Sequence, residues 1–176
     1  INNSTDLTQN RRYTSIPFWS WNNDIKPSRL IEQMHQMKSQ GINGFIIHAR
    51  RGLKVKYLGE EWFDCIDACL EAAEQLNMDV WVYDDYGWPS GFAGGKLLDN
   101  PQNHIWYLEY RQGKEYHSDA LAAFIYKDNK FYRVESNVGY DKYYLIYARQ
   151  NPSYVDILNK NVVEQFIDAT HEEYYR

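Results

Sequence analysis

Basic charge is the first thing this chain is short of. Nineteen lysines and arginines stand against 24 aspartates and glutamates, a net charge of -5 with histidines neutral. Without a basic surplus there is no field to attract a polyanion and release its counterions, so no nucleic-acid partner is expected. Long apolar runs are also missing: none reaches the roughly 20 residues that span a bilayer, so no membrane partner is expected. The polar N-terminus has neither the basic n-region nor the apolar h-region of an export signal. Because the chain begins at Ile1 rather than methionine, a removed leader stays possible and localisation is left open.

Cysteine is scarce. Cys65 and Cys69 lie four apart in a helical pattern, with no histidine pair nearby. That makes neither a zinc site nor a disulfide framework, and buried thiols are the expected reading. No metal ligands are assigned from the residues. A glycine-rich run, Gly91 to Gly95, lacks the Gly-Lys-Ser/Thr ending of a phosphate loop and reads as a turn.

What the chain has in plenty is aromatic surface: 16% of residues, with 6 Trp and 16 Tyr. Such rings stack on the apolar faces of sugars, and they equally fill cores and hairpin faces. The length of 176 residues, 44% hydrophobic, is enough for a compact core. It falls short of the roughly 250 residues of a whole (β/α)8 barrel.

The periodicity changes along the chain. Residues 1–14 are an aperiodic polar lead-in. Ile16 to Trp21 reads as a strand, and Pro27 opens a helix with Leu30, Ile31, Met34 and Met37 inward. Gly44 to Ala49 is a nearly continuous apolar strand. From Glu60 a second helix aligns Trp62, Phe63, Ile66, Cys69, Leu70, Ala73 and Leu76, closed by Asn77 before a third strand, Asp79 to Tyr83. A β-α-β-α-β order implies parallel pairing, in a doubly wound sheet or a barrel. After a Gly/Pro-rich loop the period becomes two: Ile105 to Tyr110, Ala120 to Tyr126, Phe131 to Glu135 and Lys142 to Ala148 read as antiparallel strands, with Asp128-Asn129 a tight turn. Pro152 is expected to break the chain, and Asn159 to cap a last helix carrying Val162, Val163, Phe166, Ile167, Thr170 and Tyr174 inward. The expected division is 15–104 for the first βα units, 105–150 for an inserted β-rich subdomain and 151–176 for a return helix.

In parallel α/β folds the site forms past the C-terminal strand ends. Here those ends carry Trp19, Trp21 and Asn22; then His48, Arg50 and Arg51; then Tyr83-Asp84-Asp85-Tyr86-Gly87-Trp88-Pro89-Ser90-Gly91. Adjacent strand residues point to opposite faces, so at most one of Asp84 and Asp85 faces a lumen. If Val80 and Val82 pack under the helices, Asp85 shares the inner face with Trp81 and Tyr83. His48 then faces inward with Ile46. Each carboxylate equally suits a turn cap, and Arg50 and Arg51 a solvated loop start.

Pro17-Phe18-Trp19-Ser20-Trp21-Asn22, Gly41 to His48, Tyr57-Leu58-Gly59-Glu60-Glu61-Trp62-Phe63 and Tyr83 to Gly95, in that order, resemble the N-terminal half of the catalytic barrel of the α-L-rhamnosidase-like glycoside hydrolases, family 106 and relatives. Val155 to Leu158, running into Tyr175, is similar to the stretch before that family's fourth strand. The resemblance implies a partial (β/α)8 (TIM) barrel, its first three βα units, with an inserted small antiparallel β-subdomain. It implies a carbohydrate partner, Asp84 or Asp85 as the acid/base or sugar-binding carboxylate, and Trp19, Trp21, Asn22, His48, Arg50, Trp88 and Ser90 as sugar contacts. It also implies a calcium ion in the parent protein, although no ligand loop is visible. Two departures stand out. The family has Asp-Glu where this chain has Asp84-Asp85, and it places an acidic residue at the next strand, past Arg176. Glycoside hydrolysis needs two carboxyls about 5 to 9.5 Å apart, so this segment is expected to be inactive alone. A non-catalytic carbohydrate-binding or interaction domain is the alternative. Unpaired edges of a three-stranded sheet lead us to expect self-association.

Overall fold

A computed structural model describes residues 14–175. The lead-in before Thr14 lies outside the described residues. The described chain divides into two compact units, residues up to Lys96 with Glu164 onward, and Leu97–Val163.

The first unit is a three-stranded parallel sheet in the order β1-β2-β3, formed by β1 (Phe18–Trp21), β2 (Gly44–Ala49) and β3 (Asp79–Val82). The crossovers are helices α1 (Pro27–Ser39) and α2 (Glu60–Leu76). Pro27 starts α1, where its missing N–H costs nothing, and Asn77 ends α2 in the left-handed conformation at φ 51°. Both helices pack on one face of the sheet, because sequential parallel strands with crossovers of one hand put both crossovers on one side. That face is one apolar core: Trp21, Phe45, Ile47 and Ala49 from the strands meet Leu30, Met34, Trp62, Ile66 and Cys69 from the helices. Trp21 and Trp62 stand edge to face at 5.1 Å. Truncating a side chain of this size in such a core costs about 3–5 kcal/mol. Leu70 departs from the expected inward stripe and is exposed, its place on the core side taken by Cys65 and Ala72.

Among the described residues the opposite face carries no helix. Pairing sets Phe18 beside Ile46 and Ile46 beside Trp81, with Ser20 beside His48 in the next row. This face is the only part of the first unit's sheet with large exposed rings among the described residues: Phe18 is 54% exposed and Trp81 59%.

The second unit is an antiparallel sheet in the order β4-β7-β5-β6. Its strands are β4 (His104–Gly113), β5 (Ala122–Lys127), β6 (Lys130–Val134) and β7 (Tyr143–Val155). Asp128 and Asn129 both have positive φ, as a two-residue hairpin turn requires. Ala123, Ile125, Tyr143, Leu145 and Tyr147 form the core on one face. The expected break at Pro152 does not occur: β7 continues through it to Val155. The pairing with β4 slips here, from Ile105 opposite Asn151 to His104 opposite Val155, so the proline sits in an irregularity where no ladder hydrogen bond needs its N–H. Helix α3 (Lys160–Ala169) begins after Asn159, whose Oδ1 accepts from the Asn161 N–H at 3.1 Å.

Candidate functional site

The loop after β3 departs from strand parity at once. Asp85 is wholly buried, and its two oxygens accept five backbone N–H groups. Oδ1 takes those of Tyr86 at 2.6 Å and Gly94 at 2.7 Å; Oδ2 takes Gly91, Phe92 and Ala93 at 2.9 to 3.1 Å. The chain from Tyr86 to Gly94 is wound around this one carboxylate. Gly94 adopts φ +64°, and a Cβ there would come within 3.2 Å of the Tyr86 side chain. Asp85 therefore does not share the inner face with Trp81 and Tyr83 as strand alternation implied. The strand ends at Val82, and five donors outbid the period of two.

Asp84 is the accessible partner of the pair. Ser90 Oγ donates to its Oδ1 at 2.7 Å, and His171 Nε2 lies 3.2 Å from its Oδ2. A carboxylate only accepts, so His171 Nε2 is the donor in this contact. An open cleft of about 440 Å³ adjoins the group, lined by Val82, Asp84, His171, Tyr174 and Tyr175. Nearby, burial and then the adjacent Tyr174 push the Tyr57 phenol well above the usual tyrosine range, with Asp85 and Asp84 adding to it, and burial raises the Tyr174 phenol, with Asp84 adding.

On the helix-free face the rings form a row. His48 is buried, and its Nε2 lies 2.8 Å from the Gly87 carbonyl, which ties the strand end to the loop. Tyr83 lies 4.2 Å from the His48 ring on one side and stacks on Trp88 at 5.6 Å and 22° on the other. Phe18 closes the row at 5.6 Å from His48. Trp88 is 65% exposed, so the outer end of this stack presents a ring face to solvent.

The residues expected at the site are thus divided. His48 and Trp88 join in the aromatic row, and Asp84 and Ser90 in the carboxylate cluster. Trp19 and Trp21 point the other way, because they alternate with Phe18 and Ser20 onto the helix-covered face; Trp19 Nε1 donates to Gln33 and Trp21 is core. Asn22 and Arg50 are exposed at the strand ends. Arg50 N donates to Trp21 O at 3.0 Å, and Gly52, at φ +108°, lets the backbone pass where a Cβ would lie 2.5 Å from Asn22 O. Phe18 and His171 were not singled out by sequence reasoning. Phe18 is legible afterwards from its parity with Ser20. No local signal marks His171. As for the calcium ion implied by the family resemblance, no group of three or more His, Cys, Asp or Glu able to hold a metal exists among the described residues. With Asp85 occupied by N–H donors, the residues present do not fit that ion.

No family model and no curated protein matches the chain. Among solved structures it is similar to a rhamnosidase from Novosphingobium sp. PP1Y, with a TM-score of 0.42 and 21% identity over 62% of this chain and 11% of that one. The chain thus spans about a tenth of that protein's length. What the fold itself defines is a mixed α/β chain: a parallel three-stranded sheet backed by helices, and a separate antiparallel sheet. No helix among the described residues is long and apolar enough to cross a membrane.

Proposed function

We propose that the chain is part of a glycoside hydrolase-type (β/α) barrel wall and that the helix-free face of its parallel sheet recognises a sugar. The observation that carries this reading is the ring row Phe18–His48–Tyr83–Trp88, ending in an exposed tryptophan face at the C-terminal strand ends. Flat aromatic faces bind the C–H faces of pyranoses, and C-terminal strand ends are where βα folds keep their sites. The likeness of Tyr83–Gly91 to the rhamnosidase-like family supports the sugar class. Asp84, held by Ser90 and His171, is the accessible carboxylate of this loop; its cleft opens on the Val82 and Tyr174 side of the sheet rather than beside the ring row, and its part in acid/base work is what Asp84→Asn tests. Asp85 is the brace of the loop and takes no part in chemistry.

The second reading, a non-catalytic carbohydrate-binding segment, is favoured by the same Asp85 geometry, since it withdraws one of the two adjacent carboxylates from any reaction. The test is hydrolysis of a nitrophenyl glycoside panel, α-L-rhamnoside included, by this chain and by the longest chain its gene encodes, beside titration of sugars against tryptophan fluorescence. Turnover in the longer chain alone, abolished by Asp84→Asn, supports the glycosidase. Binding lost on Trp88→Ala with no turnover in either chain supports the binding segment. No binding and no turnover in either chain would sink both.

A further inference from the structure

In the second unit the two outer strands are unlike. β6 is a short edge of five residues with Lys130, Tyr132 and Arg133 exposed along it, the usual means by which a protein keeps a strand edge from pairing. β4 is the other edge, ten residues paired with β7 on one side and with no strand on the other among the described residues. From Ile105 to Gln112 it holds no lysine, proline or glycine, and its register with β7 is regular. One side of this strand is a row of exposed apolar side chains: Trp106 at 57%, Leu108 at 68% and Tyr110 at 53%.

The row is symmetric about its centre. An antiparallel strand pair related by a two-fold axis sets residue 108+n against 108-n, so a β4 edge meeting another β4 edge at Leu108 places Trp106 against Tyr110 twice and Leu108 against itself. Facing residues in an antiparallel pair share a side of the sheet, and aromatic pairs there are favourable. On the other side of the strand Glu109 is already matched by Arg111 at 2.8 Å and Arg149 at 3.1 Å, so bringing two copies together does not bring two bare carboxylates together.

We infer that this chain forms a two-fold dimer by antiparallel pairing of β4 with β4 of a second copy, centred on Leu108, to make one continuous eight-stranded sheet. The occupant of the edge is a second copy because the edge is its own complement. The parallel sheet of the first unit offers edge strands of only four residues and is not the contact.

The experiment is sedimentation velocity on the whole 176-residue chain, with Leu108→Lys and Leu108→Glu variants and their mixture. The unaltered chain sediments as a dimer at about 50 µM. Each charged variant sets like charges against each other at the axis and weakens the dimer by about 100-fold or more. Mixing the two restores it, since the introduced lysine then faces the introduced glutamate. A monomer in the unaltered chain, a dimer in either charged variant alone, or a mixture that stays monomeric overturns the inference. Should the charged variants fail to fold, nitroxide labels on Leu108→Cys and on Gln112→Cys replace them. The label pair at 112 lies about 27 Å apart along the strands, from four residues at about 3.4 Å each counted in both copies, whereas the pair at 108 faces across about 5 Å. Equal separations, or a shorter one at 112, overturn it.

Discussion

His171 reaches back 87 residues to Asp84, its Nε2 3.2 Å from one carboxylate oxygen while Ser90 occupies the other. The contact fixes the segment after α3 to the end of β3 within one unit. Both side chains are more than a third exposed, and an exposed pair of this kind contributes about 0–1 kcal/mol. His171→Ala is therefore expected to lower stability by less than about 1 kcal/mol in urea denaturation. A double-mutant cycle with Asp84→Asn should give a coupling energy inside the same range. A coupling of several kcal/mol would show that the pair is a structural clamp, and the view of Asp84 as an accessible reactive carboxylate would go with it.

The two neighbouring aspartates should respond to the same isosteric change in opposite ways. Asp85→Asn turns one acceptor oxygen into an NH2 group facing backbone N–H donors inside a closed loop, and removing a buried acceptor of several charge-assisted bonds costs about 3 kcal/mol or more. Amide exchange at Gly91, Phe92, Ala93 and Gly94 should accelerate with it. Asp84→Asn keeps one oxygen to accept from Ser90 or His171 and should cost under about 1 kcal/mol. Equal losses in thermal melts of the two variants would contradict the assignment of Asp85 as the brace.

Much of the fold was legible because its signals are local and agree with one another. The apolar run Gly44–Ala49, the helix bounded by Glu60 and Asn77, and the hairpin turn at Asp128-Asn129 stand where the pattern put them. Alternation also assigned His48 to the helix-free face. It failed at Asp85, because parity holds only while the strand lasts and β3 ends at Val82, with the Tyr83 N–H still bonded to Ile47 O. Trp19 and Trp21 were drawn to the site by their position at a strand end, although their parity with Phe45 and Ile47 sends them into the core. Pro152 misled because a proline forbids a ladder bond only where one is due, and the slip in register there asks for none. His171 was beyond reach, since a contact between residues 87 apart leaves no trace in spacing.

Glycine at position 52 carries a geometric demand that can be separated from glycine's general freedom. At φ +108°, a Cβ on residue 52 would stand 2.5 Å from the Asn22 carbonyl oxygen, a backbone atom that cannot step aside. At Gly41, φ is +82° and nothing lies within 4 Å. Gly41→Ala should thus lose only the backbone preference, about 1–2 kcal/mol. Gly52→Ala adds a collision that parts the ends of β1 and β2, and should lose at least about 1 kcal/mol more. Chemical denaturation of the two variants side by side checks the order, and a Gly52→Ala as mild as Gly41→Ala would mean the loops are free to separate.

The buried acids of the first unit set a limit on alkaline stability. Burial, helped by the neighbouring Cys65, raises the Cys69 thiol to about 12, and burial pushes the Cys65 thiol and the Tyr57 and Tyr174 phenols up as well. A folded-state pKa above the unfolded value means that the folded chain holds its proton more tightly. The resulting stability is fully present below the unfolded values, about 8.5 for cysteine and about 10 for tyrosine, and is lost as pH rises past them. Each group then removes up to about 1.4 kcal/mol per pH unit until its folded pKa is passed. Urea midpoints should therefore hold steady between about pH 6 and 8 and fall with increasing slope from about pH 9 to 11. Cys69→Ala should fall less steeply over that window by about one proton's worth, and its thiol should resist alkylation at pH 8 in the unaltered chain until urea unfolds it. A stability that stays level to pH 11, or a Cys69 that alkylates as fast folded as unfolded, would mean that the space between α2 and the sheet is open to water.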